Sequence, residues 1–211
     1  MLIVNKQKLR GDTLIEVLFA TAIFSLVSVS GLAIMNQGTA TSQRSLEITL
    51  VRNEIDAQAT TLRFLNAAYI AAYKPNVAYD VATPAGQWQK MENEIISWNR
   101  TGSSTFGANG AVCPDLGNDN FILNAHSAKF IKLDNVNFGG AQTYSQLSYA
   151  DDSSLLKAYG IWIEATRSET SNDGNEKTAG YIDFNIRACW DSPGQAVPIT
   201  IGTIVRLYEP R

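Results

Sequence analysis

The chain has 211 residues, of which 45% are hydrophobic and 18% charged, enough apolar residues for one sizeable core. Its formal net charge is -3 and its sequence pI is about 5.2. The chain therefore lacks the positive field that bulk binding to a nucleic-acid backbone requires. The composition does not indicate disorder, so we expect one globular domain preceded by an N-terminal extension.

The N-terminal extension is basic and then apolar. Residues 1 to 10 carry Lys6, Lys8 and Arg10 without an acidic residue, and from Leu14 to Met35 the only charge is Glu16. As a helix, the apolar stretch would span about 33 Å, enough to cross a hydrocarbon core of roughly 30 Å. The basic residues precede it, which predicts a cytoplasmic N-terminus and an exported C-terminal domain.

Three ordinary explanations of this extension stay open. A secretory signal peptide would be cut after the apolar run, and residues 38 to 40 (Gly-Thr-Ala) form a passable small-residue site. A plain single-pass anchor would leave Glu16 in the membrane without a partner. A capping box would pair the side chain of Glu16 with the backbone N–H of Thr13.

The residues 11 to 18, Gly-Asp-Thr-Leu-Ile-Glu-Val-Leu, resemble the processing site of type IV prepilins and of the related pseudopilins of type II secretion. In that family a short basic leader ends in glycine, a prepilin peptidase cuts after this glycine, and a glutamate stands at the fifth mature position. Gly11 and Glu16 match by count, so the resemblance implies cleavage between Gly11 and Asp12. The family commonly has an N-methylated phenylalanine where this chain has Asp12, and methylation of Asp12 stays open.

The resemblance implies a structural subunit, a pilin or minor pilin, with no enzymatic activity and no cofactor. Its partners would be a prepilin peptidase, the membrane assembly machinery, the lipid bilayer before assembly and other pilin subunits in an extracellular filament. Family precedent pairs Glu16 with the N-terminal amine of Asp12 in an adjacent subunit. Adhesion, twitching motility and DNA uptake are the downstream roles that the family permits.

Two alternatives to a pilus subunit remain. A pseudopilin of a secretion apparatus would use the same segments in a short periplasmic assembly. A membrane-tethered, exported binding domain would keep the helix as an anchor and would not polymerise. In each case the C-terminal domain lies outside the cytoplasmic (inner) membrane.

The helix is predicted to continue beyond the membrane-spanning stretch. Ile48, Ile55, Leu62 and Tyr69 recur every seven residues, with Val51, Gln58, Leu65 and Ala72 offset by three. Pro75 predicts a helix end near Lys74. We therefore divide the chain into a leader (1–11), a membrane and filament-core half of the helix (12–35), an amphipathic half (36–74) and a globular domain (75–211).

The globular domain is expected to begin with loops and continue as an antiparallel sheet. Residues 75 to 120 are rich in Gly, Asn, Ser and Pro, which predicts loops. Alternating or β-rich stretches predict five strands, at Phe121–Asn124, Phe130–Leu133, Gly160–Arg167, Gly180–Cys189 and Ile199–Tyr208. The predicted fold class is therefore α+β, a long N-terminal helix packed on an antiparallel sheet, which is pilin-like.

The two cysteines, Cys113 and Cys189, have neither CxxC spacing nor a His/Cys cluster, so no metal or redox site is indicated. In an oxidising compartment one disulfide is their simplest use, worth roughly 4 kcal/mol for a loop of this length. Two separate buried thiols are the alternative. Alternation from Ile182 to Trp190 places Cys189 on the polar face of its strand. The lone histidine, His126, leaves no pair of imidazoles for a metal or catalytic site, and we predict neither.

Overall fold

The computed structural model describes residues 13–98, 112–114, 116, 119–168 and 180–210. Contacts divide the chain into two units, with the division between Ser45 and Leu46. The elements in chain order are α1 (Thr13–Ala72), α2 (Pro84–Trp98), β1 (Phe121–Asn124), β2 (Lys129–Lys132), β3 (Phe138–Gly139), β4 (Gln146–Tyr149), β5 (Leu155–Tyr159), β6 (Ile161–Ser168), β7 (Tyr181–Trp190) and β8 (Ile199–Tyr208).

The main sheet has five antiparallel strands in the order β2-β1-β6-β7-β8. All five strands predicted from the sequence are present, with bounds within one residue of the predicted ones. The long helix packs against this antiparallel sheet, so the predicted α+β class is confirmed. The strands are recognisable from sequence because β-branched and aromatic residues alternate with polar ones along them.

The core lies between α1 and one face of the sheet. The predicted helical stripe is buried at Val51, Ile55, Gln58, Leu62, Leu65 and Tyr69, and partly buried at Ile48 and Ala72. On β7 the predicted inward set is fully buried: Ile182, Phe184, Ile186, Ala188 and Trp190. Burying apolar surface at about 25 cal/mol per Å² makes this contact the main source of the domain's stability.

The C-terminus of α1 lies two residues before the predicted end. The Tyr79 hydroxyl donates to the Ala72 carbonyl oxygen at 2.8 Å and accepts from the Lys74 backbone nitrogen at 2.7 Å. One phenol therefore satisfies an orphan carbonyl at the helix end and the first amide of the following turn. The helix therefore ends at Ala72, beside the Tyr79 hydroxyl, and Pro75 lies beyond this end.

The prediction of loops from 75 to 120 was wrong for part of that range, because α2 occupies Pro84–Trp98. Its start carries an N-cap, since the Thr83 hydroxyl accepts from the Gly86 backbone nitrogen at 3.2 Å, and Pro84 takes the first helical position. Its buried face is a short helical stripe of Trp88, Met91 and Ile95. The surrounding Gly, Asn and Pro residues masked this stripe in the composition.

A second sheet of three short strands, in the order β3-β5-β4, was not predicted. β3 runs parallel to β5, while β4 runs antiparallel to β5 with an irregularity between Ser148 and Tyr149. The Phe138 ring lies 6.5 Å from the Trp162 ring, centroid to centroid, and Trp162 is on the face of the main sheet opposite α1. Strands this short carry too few residues for alternation to be recognised.

Candidate functional site: the N-terminal apolar helix

The first part of α1 presents apolar side chains around its whole circumference. From Leu14 to Met35 the large hydrophobic side chains are 58 to 73% exposed. None of the most apolar stretch is buried within the chain, and by length and composition this helix is able to cross a membrane. The helix therefore carries a large apolar surface that no part of its own described chain covers.

Hydroxyl side chains in this segment are satisfied inside the helix. Thr21, Ser25, Ser28 and Ser30 each donate to a backbone carbonyl three or four residues earlier, at 2.7 to 3.0 Å. In an apolar medium a hydroxyl without a hydrogen-bond partner would cost several kcal/mol, and each of these bonds supplies that partner. Because of these bonds, the four polar residues do not prevent the helix from entering a lipid or protein interior.

Glu16 is the charged residue of this segment and lies in the first turn of α1, where it is exposed. The structure records no hydrogen bond or ion pair between Glu16 and any described residue. An acid near a helix N-terminus is favoured by the helix dipole in water. In an apolar surrounding the same carboxylate would need a cationic partner. The predicted cleavage residues Gly11 and Asp12 lie outside the described residues.

The second part of α1 is fixed to the sheet by Glu47. Its carboxylate oxygen Oε2 accepts from the Trp190 indole nitrogen at 3.1 Å and from the Ser192 hydroxyl at 2.7 Å. Trp190 is fully buried, so its N–H has no access to water and depends on this acceptor. Sequence reasoning missed this contact, although an acid beside the buried stripe was visible at Glu47.

Gln58 provides a second attachment, in the middle of the buried stripe. Its amide donates to the Leu123 carbonyl oxygen at 2.7 Å and accepts from the Leu123 backbone nitrogen at 2.9 Å. β1 pairs with β6 only at Phe121↔Ile163, so the backbone of Leu123 has no strand partner on that side. The Gln58 side chain takes the place of the missing strand, which explains a polar residue at a core position.

The structure contains the predicted disulfide between Cys113 and Cys189, with a Cα–Cα distance of 5.7 Å. Cys189 follows the alternation of β7 and so lies on the face opposite α1, as predicted. It is nevertheless buried, at 1% exposure, although it lies on the polar face of its strand. Trp162, on the same face, is also buried, so this face of the sheet is covered where the two residues lie. The disulfide ties residues 112–114 to this covered face.

An ionisable cluster lies where α1, α2 and the ends of β6 and β8 meet. Arg167 makes a two-point contact with Glu209, at 2.6 and 3.1 Å. Burial, and then the charge of Glu209, raise the pKa of Glu92, and Arg167 opposes the shift. Burial and the neighbouring Glu92 raise the pKa of Tyr69 to about 12. Arg167 contacts Glu209 and acts on Glu92 only through its charge, so Glu92 is the less well compensated of the two carboxylates.

Within the described ranges, no group of three or more His, Cys, Asp or Glu side chains is placed to hold a metal ion. The lone histidine, His126, packs edge-on against Tyr149 with ring centroids 4.5 Å apart. No protein-family model, curated protein or solved structure matches the chain. Function is therefore inferred from the sequence of the extension and from the structure of its helix.

Proposed function

We propose that this chain is the precursor of a type IV pilin-like subunit, cut between Gly11 and Asp12 by a prepilin peptidase and assembled into a filament on the cell surface. Before assembly it is an inner-membrane protein with its C-terminal domain outside. The observation that carries the proposal is where the prepilin-like residues lie relative to the long helix. The prepilin-like residues 11–18 lead directly into a single helix of 60 residues. The apolar first part of that helix is uncovered, and its last part is built into a globular domain.

An apolar segment of this size is stable in lipid or buried in protein, and it is not stable in water. A subunit that leaves the bilayer must therefore bury the segment against the same segments of its neighbours. Extraction and assembly become one step, and the helical surface from Leu14 to Met35 becomes the filament core.

Glu16 gives this core its register. Surrounded by apolar side chains, the carboxylate is tolerated when a positive group faces it, and cleavage after Gly11 creates such a group at the new amino terminus. Removing one partner of a buried pair is strongly destabilising, by about 3 to 5 kcal/mol, so wrong registers are disfavoured. Processing and assembly are thereby coupled through a single charge pair.

The test is the N-terminus of the protein in cells that carry a prepilin peptidase. N-terminal sequencing and intact mass are measured for the wild type, for Gly11→Val and for Gly31→Ala. Gly31 is a suitable control because a methyl group added there meets no atom within 4 Å. We expect a start at Asp12 in the wild type and the control, and an uncut chain in Gly11→Val.

Other outcomes identify the alternatives. An intact Met1 in the wild type would contradict processing and leave a plain membrane anchor. A start near Thr41 would identify a secretory signal peptide cut after residues 38 to 40. A start at Asp12 without filaments in the sheared surface fraction would favour a pseudopilin or a tethered domain over a pilus subunit.

A further inference from the structure

The two edges of the main sheet differ in how they are protected. The β2 edge is four residues long and has a lysine at each end, Lys129 and Lys132. The Phe130 backbone nitrogen on this edge donates to the Gln87 side-chain oxygen of α2 at 2.9 Å. Short length, charge and a covering side chain are the usual means by which proteins prevent strand pairing at an edge.

Among the described residues, the β8 edge is longer and less covered than the β2 edge. β8 pairs with β7 over ten consecutive residues without a register shift, and no proline lies within it. Its only charged residue, Arg206, is held against the sheet by two contacts of 2.7 Å to Asp183 and by the Tyr181 ring, 3.9 Å from its guanidinium carbon. The charge is therefore neutralised within the sheet and does not guard the edge.

The hydrogen-bond pattern fixes which residues point outward. The Glu209 backbone nitrogen donates to the Gly180 oxygen at 2.8 Å, in register with the β7–β8 ladder. Odd-numbered residues of β8 therefore bond to β7, and even-numbered ones turn their N–H and C=O to the open side. In the described part of the chain, the Asn66 amide reaches one of these groups, the Tyr208 oxygen, at 3.4 Å.

We propose that β8 is a docking edge for β8 of a second copy of this chain, paired antiparallel about a two-fold axis at Ile204. This register sets Ile204 opposite Ile204 of the second copy and Gly202 opposite Arg206. Both pairs consist of outward-pointing residues, so each makes its two ladder bonds. Gly202 adds no side chain beside the bound Arg206, and the two arginines stay apart, which avoids a like-charge pair across the strands.

The side chains at the centre suit the same partner. Ile204 is 67% exposed on the face opposite α1, and in this register two such isoleucines cover each other. A two-fold contact uses one surface twice and closes on two copies, so it does not by itself extend a filament. The inference rests on the geometry of β8 alone and is independent of the function proposed for the apolar helix.

The first test is register-specific crosslinking of the full chain in detergent micelles under mild oxidation. Facing Cα atoms in a hydrogen-bonded antiparallel pair are about 5.5 Å apart, within disulfide range, so Ile204→Cys is expected to form a covalent dimer. Tyr208→Cys is the matched control on the same edge. In this register two copies of residue 208 are about 27 Å apart, so no dimer is expected. Equal crosslinking of both variants, or none in Ile204→Cys, would overturn the proposal.

The second test removes the central ladder bonds. The Ile204 N–H points outward, so Ile204→Pro leaves the β7–β8 ladder intact and blocks pairing at the edge. Light scattering with the detergent mass subtracted is expected to show dimers for the wild type and Ile204→Val. For Ile204→Pro we expect a dimer dissociation constant raised about ten-fold or more. The same mass for Ile204→Pro and wild type would contradict the proposal. If circular dichroism shows that Ile204→Pro does not fold, the comparison of the two cysteine variants decides the proposal alone.

Discussion

The Glu47 carboxylate of α1 lies 3.1 Å from the indole nitrogen of Trp190, the last residue of β7. Glu47 is the second residue of the unit that begins with Leu46. The contact joins the first turn of α1 in the globular unit to a fully buried aromatic side chain. Because both residues lie in the same unit, the contact fixes this turn of α1 within the globular domain. The connection is made here by one acid, one indole and one serine.

We predict that Glu47→Ala destabilises the globular unit by about 2 to 3 kcal/mol, since it removes a charged acceptor from a buried N–H. Glu47→Gln keeps one acceptor and is expected to lose less. Asp56→Ala, an exposed acid on the same helix, is the control and should change stability by less than about 0.5 kcal/mol. Urea unfolding of the full chain in detergent, followed by tryptophan fluorescence, measures all three. Equal stability of Glu47→Ala and Asp56→Ala would contradict the role of Glu47.

Gln58→Leu should be more damaging than its apolar character suggests. The leucine fits a core position, but both the N–H and the C=O of Leu123, which is fully buried, lose their partner. We expect a loss of about 2 to 4 kcal/mol in the same urea titration. Arg63→Leu, an exposed change to the same residue on the same helix, should be close to neutral. A neutral Gln58→Leu would show that water replaces the amide.

Reduction of the Cys113–Cys189 disulfide should lower the free energy of unfolding by roughly 4 kcal/mol, because the unfolded chain gains the freedom of the opened loop. The urea dependence should also steepen, since the reduced unfolded state exposes more surface. Titrations with and without dithiothreitol measure both effects. A variant with both cysteines changed to alanine should match the reduced protein and ignore the reductant. A wild type that ignores it as well would refute the prediction.

Glu92→Gln should stabilise the protein at neutral pH. Burial and Glu209 raise the folded-state pKa of Glu92 above its ordinary value of 4.5, so the folded state holds this proton more tightly than the unfolded state. The stability that protonation contributes is therefore present below pH 4.5 and is lost as the pH rises through the folded-state pKa. The advantage of the glutamine variant should accordingly be largest at pH 7, shrink as the pH falls through the folded-state pKa, and be smallest below pH 4.5.

The control for Glu92→Gln is Glu94→Gln, on the same helix. Glu94 is partly exposed and lies 3.5 Å from the Lys132 amine. Removing its charge should therefore leave the free energy of unfolding at pH 7 unchanged or slightly lower. Thermal unfolding of both variants between pH 4 and pH 8 measures the difference. A constant gap between Glu92→Gln and wild type over this range would rule out the charge of Glu92 as the cause.

Glu16→Ala tests the proposed assembly step separately from processing. The variant should still be cut to start at Asp12, but surface filaments should fall by on the order of ten-fold or more, because the charge pair that sets the register is missing. Ser25→Ala, whose hydroxyl bonds only within the helix, is the matched control and should assemble normally. Immunoblots of sheared and cell-associated fractions give the ratio. Unchanged filament yield in Glu16→Ala would exclude this role for the acid.

Periodicity in the sequence predicted the parts of the fold that depend on local pattern. The long helix, its buried stripe from Val51 to Tyr69 and the five main strands follow from apolar spacing, which one element records by itself. The proposed processing and assembly residues, Gly11, Asp12 and Glu16, also come from one short run of sequence, and their roles stay predictions. The disulfide needed only two cysteines and an oxidising compartment. Helix α2 carried a usable signal in Thr83-Pro84 and in the Trp88, Met91, Ile95 spacing.

Tertiary structure alone decided the contacts between distant elements. Nothing near Glu47 in sequence indicates Trp190, and nothing near Gln58 indicates that β1 lacks a strand partner at Leu123. The open edge of β8 is likewise visible only after the strand order is known, because a strand is at an edge when it has a neighbouring strand on one side only. Side-chain period is set by the backbone of one segment, whereas the partner of a buried polar group is set by packing between segments far apart in sequence.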